Sequence, residues 1–147
     1  MNRTFTSFIT LLLAAFVVVG CGGEPRPDGL PKLYPASVMI TQEGVPLADA
    51  SVMLIPEDPS NARWGPMGMT DDTGVAVMRV DGKYAGAPLG TYRVVVEKRE
   101  IIDPPPGTAG ESRMVQHVPA QYGSIADTPL RIEIIASERT YTVEVRK

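Results

Sequence analysis

Apolar and polar residues alternate with a period of two through much of the chain that follows residue 36. The alternation is clearest in segments 38–41, 50–54, 92–97, 130–134 and 141–145. A period of two places one face of a strand against a core and the other face toward solvent. No sustained helical stripe of apolar residues follows residue 21, so the pattern predicts β-strands and no core helix.

Two further segments complete the set of predicted strands. Segment 74–80 forms one, with Ala76, Met78 and Val80 on its inward face, and a short strand covers 67–70. The last two strands are expected to close an antiparallel hairpin through residues 137–139. The sequence therefore predicts a single all-β domain over 36–147, a seven-stranded antiparallel β-sandwich.

A different pattern occupies the amino terminus. Arg3 is the only early charge, and segment 5–19 is uncharged and mostly apolar. The apolar stretch 8–19 is shorter than the roughly 20 residues that span a bilayer as a helix. Residues 1–20 therefore have the features of an export signal peptide that is removed, not of a retained anchor.

The apolar run ends on the only cysteine of the chain, in the order Val18, Val19, Gly20, Cys21. This order resembles the lipoprotein box of bacterial lipoproteins, which implies cleavage before Cys21, a diacylglyceryl group on its thiol and acylation of the new amino terminus. Two or more acyl chains hold a protein durably to a membrane, whereas one does so only marginally. An ordinary secretory signal with an incidental cysteine is the alternative.

The lipoprotein resemblance implies that the protein is located in the cell envelope and is attached to a membrane through the lipid anchor. Gly22 stands where some bacteria use Asp to retain lipoproteins in the inner membrane, so outer-membrane placement is favoured. Residues 21–35 are read as the lipidated cysteine and a tether rich in proline. As an extended polyproline chain, this tether could lift a domain roughly 40 Å from the bilayer.

Composition argues against a nucleic-acid-binding protein and against a disulfide within the mature chain. The chain has 147 residues and a formal net charge of −3, and its Lys and Arg residues are scattered among Asp and Glu. This distribution is unlike a nucleic-acid-binding surface, so no nucleic acid is expected as a partner. With Cys21 lipidated, no disulfide can form within the mature chain, so packing must stabilise the domain.

Three turn and strand motifs occur in a fixed order. They are G-x-P-L-x-x-A-x-V at 44–52, T-D-x-x-G at 70–74 and G-x-Y-x-V at 90–94. Together they resemble the carboxypeptidase regulatory-like domain, a transthyretin-like sandwich, over residues 36–98. Segment 118–134 is similar to small bacterial lipoproteins that carry this domain. The resemblance implies an accessory or adhesion-like module without the catalytic domain that it accompanies in carboxypeptidases.

The candidates for catalysis and metal binding are weak. Asp71 and Asp72 lack the alternating oxygen ligands of a calcium loop, and a tight turn explains them better. His117 is the only histidine, and no local signature supports a triad of Ser112, His117 and Asp127. We therefore expect no enzyme activity, no cofactor and no metal.

Two residues are candidates for contact with a ligand or partner. Trp64 lies in a predicted end loop where a flat ring could stack on a sugar, although a ring folded back over the core is the more ordinary interpretation. Tyr122 has the same two interpretations. The connection 99–129 is longer than ordinary loops and is either mobile or a binding surface. The sequence thus favours a non-enzymatic, lipid-anchored envelope module for interaction or structure. The alternative is a protein that binds an envelope glycan or small ligand through Trp64 and this connection.

Overall fold

The structure, a computed structural model, describes residues 25–147, so the predicted signal peptide and Cys21 lie outside the described residues. Strands dominate this part, and no helix within it is long and apolar enough to cross a membrane. Two short 3-10 helices cover Pro59–Trp64 and Ala120–Gly123. The strands are β1 (Ser37–Gln42), β2 (Val45–Pro46), β3 (Ser51–Pro56), β4 (Met67–Met69), β5 (Val75–Val77), β6 (Arg79–Val80), β7 (Tyr84–Ala85), β8 (Gly90–Glu97), β9 (Arg99–Ile102), β10 (Arg113–Gln116), β11 (Arg131–Ile134) and β12 (Thr140–Val145).

Two sheets form the body of the molecule. In the smaller sheet, β1 pairs with β12 on one side and with β2 and β5 on the other. The larger sheet has the order β11-β8-β3-β4-β6-β7, and all of its pairs are antiparallel. Strands β9 and β10 pair with each other outside both sheets.

The core lies between the two sheets. Val38 and Ile40 of β1 are fully buried, as are Val52 and Leu54 of β3. They belong to a single apolar cluster that takes side chains from both sheets, so the chain is an all-β sandwich. The inward face predicted for segment 74–80 is confirmed, because Ala76, Met78 and Val80 are all buried.

The expected closing hairpin is wrong. Strand β11 pairs with β8, with Ile132 opposite Tyr92, whereas β12 pairs in parallel with β1 in the other sheet. The connection between them crosses from sheet to sheet, and the Tyr141 hydroxyl accepts from the Ile135 amide at 3.0 Å and donates to the Glu138 carbonyl at 3.2 Å. Alternation identifies which face of a strand is buried but not which strand lies beside it, so the purely antiparallel sandwich is also corrected.

The predicted count of seven strands is wrong as well, since residues 25–147 contain twelve strand segments. One cause is that the segment predicted as a single strand at 74–80 is divided between the sheets. Its first part, β5, pairs with β1, while its second part, β6, pairs with β4 and β7. The connection 99–129 adds β9 and β10, and the two-residue strands β2 and β7 account for the rest.

The two ends of the sandwich differ. Strands β1 and β8 both begin near the pair formed by Tyr34 and Ala87, and we call this the proximal end. Both finish at the opposite end, where the side chain of Gln42 reaches the backbone of His117. Strand β8 continues through Lys98 into β9 at this opposite end.

Candidate interaction surface

Residues 99–116 form a two-stranded antiparallel ribbon that extends β8 beyond the sandwich, and we call this ribbon the arm. Its register places Arg99 opposite Gln116 and Ile101 opposite Met114. Ile101 and Met114 each keep 66% of their surface exposed, although both side chains are large and apolar. Exposed apolar pairs on a strand surface are typical of interaction sites when they lie next to one another.

The arm lacks a third strand. Within residues 25–147, β9 and β10 pair only with each other, so each strand has an outer edge without a neighbouring strand. A two-stranded ribbon alone is marginally stable in water, and an open strand edge can accept a further strand from a partner. The arm therefore combines exposed apolar side chains with exposed backbone hydrogen-bonding groups.

The tip of the arm is ordered by short-range hydrogen bonds. The Thr108 hydroxyl donates to the carbonyl of Pro105 at 2.6 Å, and Gly107 adopts a left-handed conformation with φ of 84°. The Ser112 hydroxyl donates to the carboxylate of Asp103 across the loop. The proline-rich sequence here marks the turn of a hairpin, which the sequence pattern alone placed in an undivided connection.

The base of the arm is fixed to the sandwich from two sides. The Gln42 Nε2 atom donates to the His117 carbonyl at 3.0 Å, and the Lys98 Nζ atom donates to the Ala48 carbonyl at 2.8 Å. His117 Nε2 also lies 2.8 Å from a carboxylate oxygen of Glu100. These contacts determine the direction in which the arm leaves the sandwich.

Trp64 does not present an open ring to solvent. It ends the first 3-10 helix with only 5% of its surface exposed, and the Arg63 guanidinium lies 4.6 Å from its ring centroid. A β-carbon built at Gly29 would lie 3.9 Å from the ring, so the amino-terminal segment passes beside it. The residue therefore covers the proximal end of the sandwich, away from the arm.

Tyr122 is also buried, with 6% of its surface exposed, and lies in the second 3-10 helix. Its hydroxyl accepts a hydrogen bond from the backbone amide of Arg146 at 3.1 Å. Trp64 and Tyr122 are thus not brought together: Trp64 lies at the proximal end, and Tyr122 lies near the carboxyl end of β12. Both contribute to packing in this geometry.

The residues considered for catalysis have separate partners. Ser112 bonds to Asp103, His117 to Glu100, and Asp127 accepts from the Ser124 hydroxyl at 2.6 Å. Among the hydrogen bonds of residues 25–147, none joins Ser112, His117 and Asp127 to one another. Among residues 25–147, no group of three or more His, Cys, Asp or Glu side chains is arranged to hold a metal ion.

Asp71 organises the turn between β4 and β5. Its Oδ1 atom accepts from the Thr73 hydroxyl at 2.6 Å and from the backbone amides of Thr73 and Val75 at 2.9 and 3.1 Å. The hydrogen bonds from Thr73 and Val75 lower the pKa of the Asp71 carboxyl below its ordinary value. This agrees with the turn interpretation of the T-D-x-x-G motif, since the Oδ1 atom of Asp71 accepts all three hydrogen bonds from its own turn.

Comparison with known proteins gives little. No protein-family model matches the chain, and no curated protein matches it. Among solved structures, the chain is similar to the major pilin subunit of Bacillus cereus, with 14% sequence identity and a TM-score of 0.42. The similarity covers 77% of this chain and 30% of the pilin chain, so this chain spans less than a third of that protein.

Proposed function

We propose that this protein is a non-enzymatic module that is held at the cell envelope by a lipid on Cys21 and binds another envelope component through the arm. The observation that carries the proposal is the exposed pair of Ile101 and Met114 on a ribbon with two open edges. A marginal ribbon that exposes apolar side chains to solvent gives a monomer no gain in stability, whereas a partner could cover it. We also propose that the sandwich is transthyretin-like or immunoglobulin-like.

The address follows from the sequence at 18–21, which has the order of a lipoprotein box. Gly22 in place of Asp favours the outer membrane over the inner one. A protein held in this way needs no strong affinity for its partner, because confinement to one surface raises the effective concentration of both. A modest apolar surface such as that of the arm is then sufficient.

The alternative, a glycan or small ligand bound by Trp64 and the connection 99–129, has less support. Sugar stacking requires an open aromatic face, and Trp64 is nearly covered. The arm leaves the end of the sandwich opposite the one that Trp64 covers. A shared pocket would require the protein to rearrange.

The experiment is chemical crosslinking in intact cells, followed by mass spectrometry of the crosslinked peptides. The full chain is compared with Ile101→Ser/Met114→Ser and with a control, Val77→Ser, whose side chain is 52% exposed in β5. We expect crosslinks from 99–116 to one envelope component, several-fold weaker in the double variant and unchanged in the control. Equal crosslinking in all three proteins would contradict a role for the arm.

The anchor is tested separately. Cys21→Ser should leave an uncleaved or mislocalised precursor that takes up no radiolabelled fatty acid. Unchanged membrane retention together with unchanged fatty-acid labelling would contradict the lipid-anchor part of the proposal. The arm could still bind a partner in that case, since the two parts rest on different residues.

A further inference from the structure

The described part of the predicted tether does not extend away from the domain. The Tyr84 hydroxyl donates to the Pro25 carbonyl at 3.2 Å. Further along, the Tyr34 amide donates to Ala87 and the Ala87 amide donates back to Tyr34, both at 2.9 Å. The segment is thus attached to the sandwich at both of its ends.

Side chains along the same segment contribute to this attachment. Leu30 and Leu33 are partly buried, and Gly29 passes beside the ring of Trp64. Within the segment itself, the Lys32 ammonium lies 5.0 Å from the ring centroid of Tyr34, which is within the range of a cation–π contact. Residues 25–35 therefore form part of the proximal end and do not act as a spacer of 40 Å.

This attachment shortens the distance between the domain and the predicted lipid. Only four residue steps separate Cys21 from Pro25, and four fully extended residues reach at most about 14 Å. The proximal end must then lie within that distance of a lipidated Cys21. Strand β8 starts at this end, spans roughly 26 Å and continues into the arm, so the arm emerges far from the anchor.

The charges at this end do not select a lipid type. The exposed cations there include Arg26, Lys32 and Arg63, and the exposed carboxylates include Asp28, Glu57 and Asp58. With both signs present, the short connection to the lipid, and not the charge of the headgroups, is what brings this face to the bilayer. The surface of a bilayer of any headgroup charge is therefore the expected occupant.

We infer that the proximal end lies against the bilayer surface and that the arm points away from it toward its partner. The inference rests on the lipid anchor of the proposed function. It adds that the hydrogen bond between Tyr84 and Pro25 keeps the connection to the lipid short. The anchor therefore restricts the orientation of the domain and does not act as a flexible tether. The partner is accordingly a component that reaches the arm from the side away from the membrane.

The single cysteine makes this orientation measurable. Once Cys21 carries lipid, a cysteine introduced elsewhere is the only free thiol, and the exposed residues Ala62 and Ala109 offer matched Ala→Cys sites at the proximal end and at the arm tip. The lipidated full chain is reconstituted into phosphatidylcholine vesicles, with and without phosphatidylglycerol, that contain a headgroup-linked energy acceptor. We expect several-fold more efficient energy transfer from a dye at Ala62→Cys than at Ala109→Cys in both lipids.

Two further variants identify the cause. A long glycine-serine insertion after Glu24 keeps the lipid and the fold but removes the short connection, so the difference between the two dye positions should largely disappear. Tyr84→Phe removes only the hydrogen bond to Pro25 and should reduce the difference in the same direction.

The outcomes separate the inference from the proposed function. Protein that floats with the vesicles but transfers energy equally from both positions overturns the orientation and leaves the lipid anchor intact. A difference that survives the long insertion overturns the short connection as its cause. Protein that does not float overturns the anchor and the orientation together.

Discussion

The side chain of Gln42 donates a hydrogen bond to the backbone carbonyl of His117, 75 positions later in the chain, with 3.0 Å between the two atoms. Gln42 is the last residue of β1, and His117 directly follows the second strand of the arm. The His117 amide donates in turn to Lys98, the residue just before β9. One amide side chain thus links the smaller sheet to the base of a ribbon that continues the larger sheet.

Loss of this link should loosen the arm without unfolding the sandwich. In Gln42→Ala we expect faster amide hydrogen exchange over residues 99–116 and little change in the strands of the core, because a ribbon on its own is marginally stable. Hydrogen exchange followed by mass spectrometry measures both regions at once. Gln116→Ala, which removes an exposed amide of the arm itself, is the control. Equal protection of the arm in the wild type and in Gln42→Ala would show that the hydrogen bond does not hold it.

The turn before β5 supplies a second prediction, based on two adjacent aspartates. Both side chains are exposed, but Asp71 accepts three hydrogen bonds in the turn, whereas Asp72 has no comparable role there. Asp71→Ala should therefore lower the midpoint of thermal unfolding, and Asp72→Ala should leave it nearly unchanged. Differential scanning calorimetry measures the unfolding midpoints of the two variants. Equal midpoints would argue against the turn as a stabilising element.

The same carboxyl group predicts a dependence on acid. Its hydrogen bonds to Thr73 and Val75 lower the pKa of Asp71 in the folded protein below the ordinary value of 3.8. Its contribution to stability is thus present above that ordinary value and is lost as the pH falls through the lowered pKa. The stability difference between wild type and Asp71→Ala should shrink as the pH is taken below 3.8. Urea unfolding at a series of acidic pH values measures it, and a constant difference would refute the assignment.

The buried side chain of Tyr92 predicts how the stability of the fold changes at alkaline pH. Burial raises the pKa of Tyr92 from 10.0 to about 12, and its hydroxyl donates to the Pro88 carbonyl at 2.7 Å. The unfolded chain loses this proton near pH 10 while the folded protein retains it, so stability is complete below pH 10 and falls as the pH rises toward 12.

Tyr92→Phe should separate these two effects. At neutral pH the variant loses the hydrogen bond, which costs about 1 kcal/mol of unfolding free energy. Between pH 10 and 12 its stability should fall less steeply than that of the wild type, so the two curves converge. Denaturant titrations across this range test the prediction. Parallel curves for the wild type and Tyr92→Phe between pH 10 and 12 would contradict the assignment of this slope to Tyr92.

Much of the fold could be predicted from the sequence because burial has a local signature. The inward positions Val94 and Val143 follow directly from a period of two, and both are buried. The choice of which strand lies beside which has no such local signature in the sequence. Strand β12 carries the same alternation whether it lies beside β11 or beside β1, and the choice depends on how residues 135–139 cross between the sheets.

The candidate surface was harder to predict, for a related reason. The sequence singled out Trp64 by residue type, but its exposure depends on Arg63 and on the segment that passes over it. Conversely, Ile101 and Met114 are ordinary strand residues and become notable only because no second sheet among residues 25–147 covers the arm. A signal was present in the proline run at 104–106, which lies in the turn of the hairpin between β9 and β10.

Gly68 offers the sharpest test of how the chain crosses between the sheets. It lies in β4, where that strand passes close to the segment that leaves the smaller sheet. A β-carbon added there would lie 2.7 Å from the backbone carbonyl oxygen of Val77 and 3.3 Å from the side chain of Ala76. The first contact is with backbone, which cannot move without disturbing the pairing of β5 with β1. We expect Gly68→Ala to lower the free energy of unfolding by about 1–3 kcal/mol, as overpacking of a tight site does.

The control for this prediction is Ser51→Ala, at an exposed position of the adjacent strand β3. It should change the free energy of unfolding by less than about 0.5 kcal/mol. Urea denaturation of both variants measures the difference, and equal stabilities would mean that the two strands do not approach as closely as the structure places them.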